Sequence, residues 1–319
     1  MSALHWDREG LDWPNRAASR FVSAGGLRWH IEDMGSGPIA LLLHGTGAST
    51  HSFRHFGPVL ATRFRVIALD LPGHGFTEAP RASHLSLPQM SQSIAALLSA
   101  LNVKPDIAVG HSAGAAILCR MALDHRLDAK AIISLNGAFL PFGGPVSQFF
   151  GGIARLLFLN PFVPSMFSWS ADAGMVRRLI TGTGSEIDAE GLALYGRLFR
   201  NSTHAASALG MMANWDLETL SQDLPKLKTR LTLIAASNDK AVPADVAFKV
   251  QDMVPGSKAI LLRGVGHLAH EEKPAEVAEF VFSEAVRYGI LASSSSFSLA
   301  CRRFSVLLSA EFTGDNAGV

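Results

Sequence analysis

The chain has 319 residues, 48% of them hydrophobic and 17% charged, with a mean hydropathy of +0.22. It is long enough to bury a large core and too apolar to remain disordered. Twenty-eight Lys and Arg against 27 Asp and Glu leave a formal net charge of +1, so phosphate neutralisation cannot drive binding and no nucleic-acid partner is expected. Two cysteines, Cys119 and Cys301, cannot build a disulfide framework or a four-thiolate zinc site.

The opening MSALHWDREGLDWPNR carries Asp7, Glu9 and Asp12 and no apolar h-region, which reads against a secretory signal and for a cytoplasmic protein. Phe21 to Asp33 predicts a hairpin turning at Gly25-Gly26. Ile39 to His44 and Phe64 to Leu69 read as buried strands. Leu87 to Leu101 carries a helical apolar period through Met90, Ile94, Leu97, Leu98 and Leu101. Ile107 to Val109 is a third such strand, running into a small-residue helix from Ala113 to His125, and Ala131 to Leu135 is a fourth. This alternation predicts an α/β fold with a mostly parallel central sheet and helices on both faces.

The rhythm then breaks. From Asn136 to Leu224 there is no strand-like run, eight phenylalanines and no lysine. Between Ala131 and Ala171 the only charge is Arg155, but Pro141, Pro145, Pro161 and Pro164 interrupt the stretch, so no membrane span is predicted there. Strands return at Leu231 to Ala235 and Ala259 to Leu262. The interruption predicts a helical cap over the C-terminal edge of the sheet, where open α/β folds place ligands. The chain thus divides into a core at 1–136, the cap at 137–224, a second core piece at 225–288 and an extension at 289–319. In the extension Phe297, Cys301, Phe304, Leu308 and Phe312 form one helical stripe. It reads as a poorly ordered tail, the alternative being a peripheral membrane or partner-docking helix.

Gly110-His-Ser-Ala-Gly114 is the one G-x-S-x-G of the chain. It follows a strand and opens a helix, the context of a nucleophile elbow, so Ser112 is the candidate nucleophile. A serine hydroxyl needs a base to take its proton. His267, in Gly264-Val-Gly-His-Leu268 just past the last strand, is the candidate, ahead of His270, which reads as a supporting residue. Asp239, after the strand Leu231 to Ala235, is the acid that would fix the histidine tautomer, because Asn136 occupies the other place for it. Oxyanion donors are expected from the backbone of Thr46, in His44-Gly-Thr-Gly47, and of Ala113. Position 50 is threonine, so Gly45 and Gly47 do not complete a dinucleotide fingerprint, and no G-x-x-x-x-G-K-[ST] or H-E-x-x-H occurs. No cofactor and no metal are expected.

Leu43-His-Gly-Thr-Gly-Ala-Ser49, Asp70-Leu-Pro-Gly-His-Gly-Phe76, Gly110 to Ala115 and Gly266-His267 together resemble the α/β-hydrolase superfamily over residues 20–288. Asp12 to Arg16, His44 to His51, Asn136-Gly-Ala138, Met211 to Leu217 and Gly266 to Glu272 resemble more closely the magnesium-chelatase accessory proteins of bacteriochlorophyll synthesis, the BchO type. That resemblance implies a role beside magnesium insertion into protoporphyrin, with magnesium-chelatase subunits as partners. Without a phosphate loop the chain would be an accessory factor and not the motor. Two readings follow: a serine hydrolase acting on an acyl bond of a large apolar substrate, or a non-catalytic tetrapyrrole-binding or assembly protein on a hydrolase fold. In the second, Phe139, Phe142, Phe149 and Phe150 would stack on a macrocycle, with Arg155, Arg177, Arg178, Arg197 and Arg200 available to its propionates.

Overall fold

The computed structural model describes residues 4–141 and 163–293. Eight strands form one sheet: β1 (Ser19–Ala24), β2 (Leu27–Gly35), β3 (Ile39–Leu43), β4 (Arg65–Leu69), β5 (Ile107–His111), β6 (Ala131–Leu135), β7 (Arg230–Ala236) and β8 (Lys258–Leu262). Their spatial order is β1-β2-β4-β3-β5-β6-β7-β8. The hairpin β1–β2 and the pair β2–β4 are antiparallel, and every other pairing is parallel. The elements observed differ from the expected ones by only a few residues at their ends; the helix after Ser112, for example, stops at Leu123.

The central strands are buried on both faces, and their two-residue period sorts side chains into two cores. Leu41, Leu43 and Ala108 point to one side, where they meet the helices Leu87–Ala100 and Ala113–Leu123. Ala40, Leu42, Ile107 and Val109 point to the other, against Phe56, Leu60 and the helix Pro274–Arg287. Each fully buried leucine or isoleucine contributes about 1.5–3 kcal/mol by leaving water, so a one-residue slip of β3 or β5 would exchange the two cores and is strongly opposed.

Between β6 and β7 the described residues hold five helices: Val163–Ser170, Ala173–Gly182, Ala189–Phe199, Ser202–Ala213 and Leu217–Asp223. Four of them start on an Asx cap. Asp172, Asp188, Asn201 and Asp216 each accept a backbone N–H three residues on, from Met175, Gly191, His204 and Thr219. The N-terminal segment ties this layer to the core. Trp13 is buried against Phe76, Leu194 and Leu198, and Asp12 takes a bidentate bond from Arg197 at 2.7 and 2.8 Å. No helix among the described residues is long and apolar enough to cross a membrane. The tail stripe from Phe297 to Phe312 lies outside the described residues.

Candidate active site

Ser112 sits between β5 and the helix Ala113–Leu123 with φ 51° and ψ −115°, a conformation that L side chains rarely adopt. Its backbone is nonetheless held on three sides. Its N–H donates to Leu135 O, and its carbonyl accepts from Ala115 and Ala138 N–H. The flanking residues must be small for this turn to close. A Cβ at Gly110 would lie 2.5 Å from Ala115 N, and one at Gly114 would lie 2.3 Å from Leu43 O. The G-x-S-x-G pattern is therefore a steric requirement of packing this helix onto β3 and β5.

His267 lies in the loop between β8 and the short helix Ala269–Glu272, and it is nearly buried, as is Asp239. Its Nδ1 is 2.8 Å from Asp239 Oδ2. Asp239 Oδ1 accepts the backbone N–H groups of Ala241 and Val242, both at 2.8 Å, and Oδ2 also accepts Asn136 Nδ2 at 2.7 Å. With all four acceptor directions in use, the carboxylate cannot rotate. The network assigns the His267 proton to Nδ1 and leaves Nε2 as the basic nitrogen. Ser112, Ala113, Thr46 and His267 line one cavity of about 390 Å³. Its walls are apolar, with Met212, Trp215 and Val242 among them. The acidic side chains among the described lining residues are Asp216 and Glu218. Bonds from Thr219 N and Oγ1 hold the Asp216 carboxyl below the usual carboxylate range.

Three further residues complete the surroundings. The His111 ring lies between two others, tilted against His267 with centroids 4.7 Å apart and against His270 with centroids 4.5 Å apart. Burial and the neighbouring histidine push His270 down to about 3, so it is neutral and supports Ser52 through Nε2 at 2.8 Å. Asn136, which the sequence identifies only as the residue filling the other acid position, is a working member of the Asp239 hydrogen-bond set. The signal for it was its place directly after β6.

Two expectations are corrected. Phe139 is fully buried in the core against the sheet and cannot stack on a ligand. The described cavity lining contains methionine and tryptophan but no phenylalanine; Phe142, Phe149, Phe150 and Arg155 lie outside the described residues. Arg197 is committed to Asp12, and Arg200 donates to Ala171 O, so neither stands at the cavity for a propionate. Neither Arg177 nor Arg178 is among the lining residues. The group with metal-ligand spacing among the described residues is His55, Asp188 and Glu190, all exposed, and Asp188 is already paired with Arg54 at 2.8 Å.

Comparison with known proteins agrees with this architecture. The model of the alpha/beta hydrolase fold family matches residues 38–274. A relative named magnesium-chelatase 30 kDa subunit, from Rhodobacter capsulatus, is 38% identical over 263 residues, covering 82% of this chain and 92% of that protein. An uncharacterized hydrolase of Bacillus subtilis (strain 168) is 26% identical over 242 residues, covering 75% of this chain and 86% of its own length. Among solved structures, an alpha/beta hydrolase fold protein from Burkholderia ambifaria superposes with a TM-score of 0.71 at 20% identity, over 83% of this chain and 97% of that one. With a family model covering most of its length and this sheet order, the chain belongs to the α/β-hydrolase fold family.

Proposed function

We propose that the protein is a serine hydrolase that cleaves an ester or related acyl bond of a large apolar substrate. The observation that carries the reading is the meeting of a strained Ser112 and an Asp239-anchored His267 at one apolar cavity. In the first step His267 Nε2 takes the Ser112 proton as Oγ bonds to the substrate carbonyl carbon, and negative charge moves to the carbonyl oxygen. The backbone N–H groups of Ala113 and Thr46 receive that charge. Collapse breaks the ester C–O bond, and the alcohol leaves with the proton from His267. Water then repeats the sequence on the acyl-enzyme, releasing the acid and restoring Ser112. The apolar walls favour an uncharged acyl group, and Asp216 and Glu218 disfavour a carboxylate on it.

The pathway role proposed is accessory to magnesium insertion into protoporphyrin, beside the chelatase subunits; the relative named a magnesium-chelatase subunit supports it. The same relative favours a second reading, in which the fold binds a tetrapyrrole or assembles the chelatase without chemistry. Two experiments separate them. A fluorophosphonate probe labels wild type, while Ser112→Ala and His267→Ala are not labelled although folded. Rescue of magnesium-tetrapyrrole synthesis by Ser112→Ala in cells would favour the assembly reading.

A further inference from the structure

We propose that His111 is a positioning residue that sets His267 against Ser112, a role that rests on the hydrolase reading above. His111 ends β5, where it is paired with Leu135, and it directly precedes the nucleophile. Its Nε2 lies 2.9 Å from the backbone carbonyl of His267 and donates to it. Its ring packs on the His267 ring with centroids 4.7 Å apart. On the opposite side a Cβ at Gly45 would lie 2.9 Å from His111 Nδ1 and 3.0 Å from Ser112 Cβ. One side chain therefore touches the base loop and the loop that presents Thr46, and its own backbone leads into the nucleophile.

Beside the His267–Asp239 bond and Gly264 N–H to Ser237 Oγ, further anchors hold the base loop from elsewhere. Val265 O accepts Asn238 N–H, Gly266 N–H donates to Glu272 Oε1, and Leu268 N–H donates to Ser185 Oγ. None of these references the loop to β5. The His111 bond does, so it fixes the base in the frame of the strand that carries Ser112. His111 is also unsuited to proton transfer. It is buried, and burial with His270 and His267 beside it pushes its imidazole well below the usual range. Its Nδ1 has no hydrogen-bond partner among the described residues. A neutral ring with Nε2 protonated is the form that donates to His267 O. A residue serving only to fill the core would not require that donor.

The test compares His111→Leu, His111→Gln and His111→Asn. The glutamine amide reaches the place of Nε2, whereas the asparagine amide reaches only the place of Nδ1. Displacing a reacting group by about 1 Å can cost ~100-fold in rate, so Leu and Asn are expected to lower kcat for p-nitrophenyl butyrate about tenfold to hundredfold with KM nearly unchanged. Gln is expected to stay within about threefold of wild type. Denaturation midpoints are measured alongside, and a purely structural role would make all three variants track stability. Equal loss in Gln and Leu, or no loss in Leu, overturns the proposal. If wild type neither turns over ester nor takes the fluorophosphonate label, the hydrolase reading falls by itself. The low-field proton NMR signal of His267 Nδ1–H, identified by its absence in His267→Ala, then decides the positioning role. Retention in Gln with loss or displacement in Leu supports it, and an unchanged signal in both overturns it.

Discussion

Asn136 donates its side-chain N–H to the same oxygen of Asp239 that holds His267, at 2.7 Å against 2.8 Å for the histidine. The amide thereby fixes which face of the carboxylate meets the base. In Asp239→Asn the Ala241 and Val242 N–H groups would claim the amide oxygen and leave the NH₂ in the Oδ2 place facing His267, enforcing the wrong tautomer. Activity is expected to fall by about 10⁴. Adding Asn136→Asp gives that NH₂ an acceptor in the same place and returns no oxygen to His267. The double variant is therefore expected to stay within about threefold of the single one. Initial rates of ester cleavage measure it, and a recovery of about tenfold or more in the double variant would refute the arrangement.

Backbone strain at Ser112 makes a separate prediction on stability. A glycine tolerates φ 51° without penalty. Ser112→Gly is expected to raise unfolding free energy by about 1 kcal/mol while abolishing labelling. Urea denaturation provides the check; a lower midpoint would show that the elbow stores no strain.

Glu32 gives the fold a pH dependence. Burial, followed by the neighbouring Asp70 charge, raises its pKa from an ordinary 4.5 to about 8. The folded state therefore holds a proton that the unfolded state has lost between these values. Its contribution is complete below pH 4.5 and is lost as pH rises through 8. Glu32→Gln keeps the neutral shape and should flatten the decline in urea midpoint between about pH 5 and 9. An identical slope in wild type and variant would assign the decline to other groups.

The charge at the cavity sets substrate preference. With Glu218 and Asp216 at its lining, an ester carrying a free carboxylate on its acyl chain is expected to react about tenfold more slowly than its neutral methyl-ester analogue. Glu218→Lys should narrow or invert that ratio. Measured kcat/KM ratios unaffected by the substitution would place the acyl chain elsewhere.

Much of this molecule is determined by local sequence. The continuous apolar runs of Ile39–Leu43 and of residues 107–109 are enough to specify buried strands, because a parallel sheet covered on both faces takes mostly apolar residues. Gly110 and Gly114 announce the elbow because the close approach of the Ala113–Leu123 helix to β3 and β5 leaves no room for a Cβ at either position. The candidate acid and base were legible for the same reason: each follows a strand at the edge where the sheet presents its loops.

What only the tertiary structure decided is who touches whom across those loops. Asn136 and Asp239 are 103 residues apart, and His111 and His267 are 156 apart; no local pattern encodes hydrogen bonds at such separations. Phe139 looked like a ligand contact from its apolar surroundings, yet the chain after β6 turns it into the core. The arginines of the inserted helices looked available, yet Asp12, far ahead in sequence, takes Arg197. Composition says that a side chain is apolar or charged, but burial and pairing depend on which distant segment reaches it, and that is settled only when the sheet assembles.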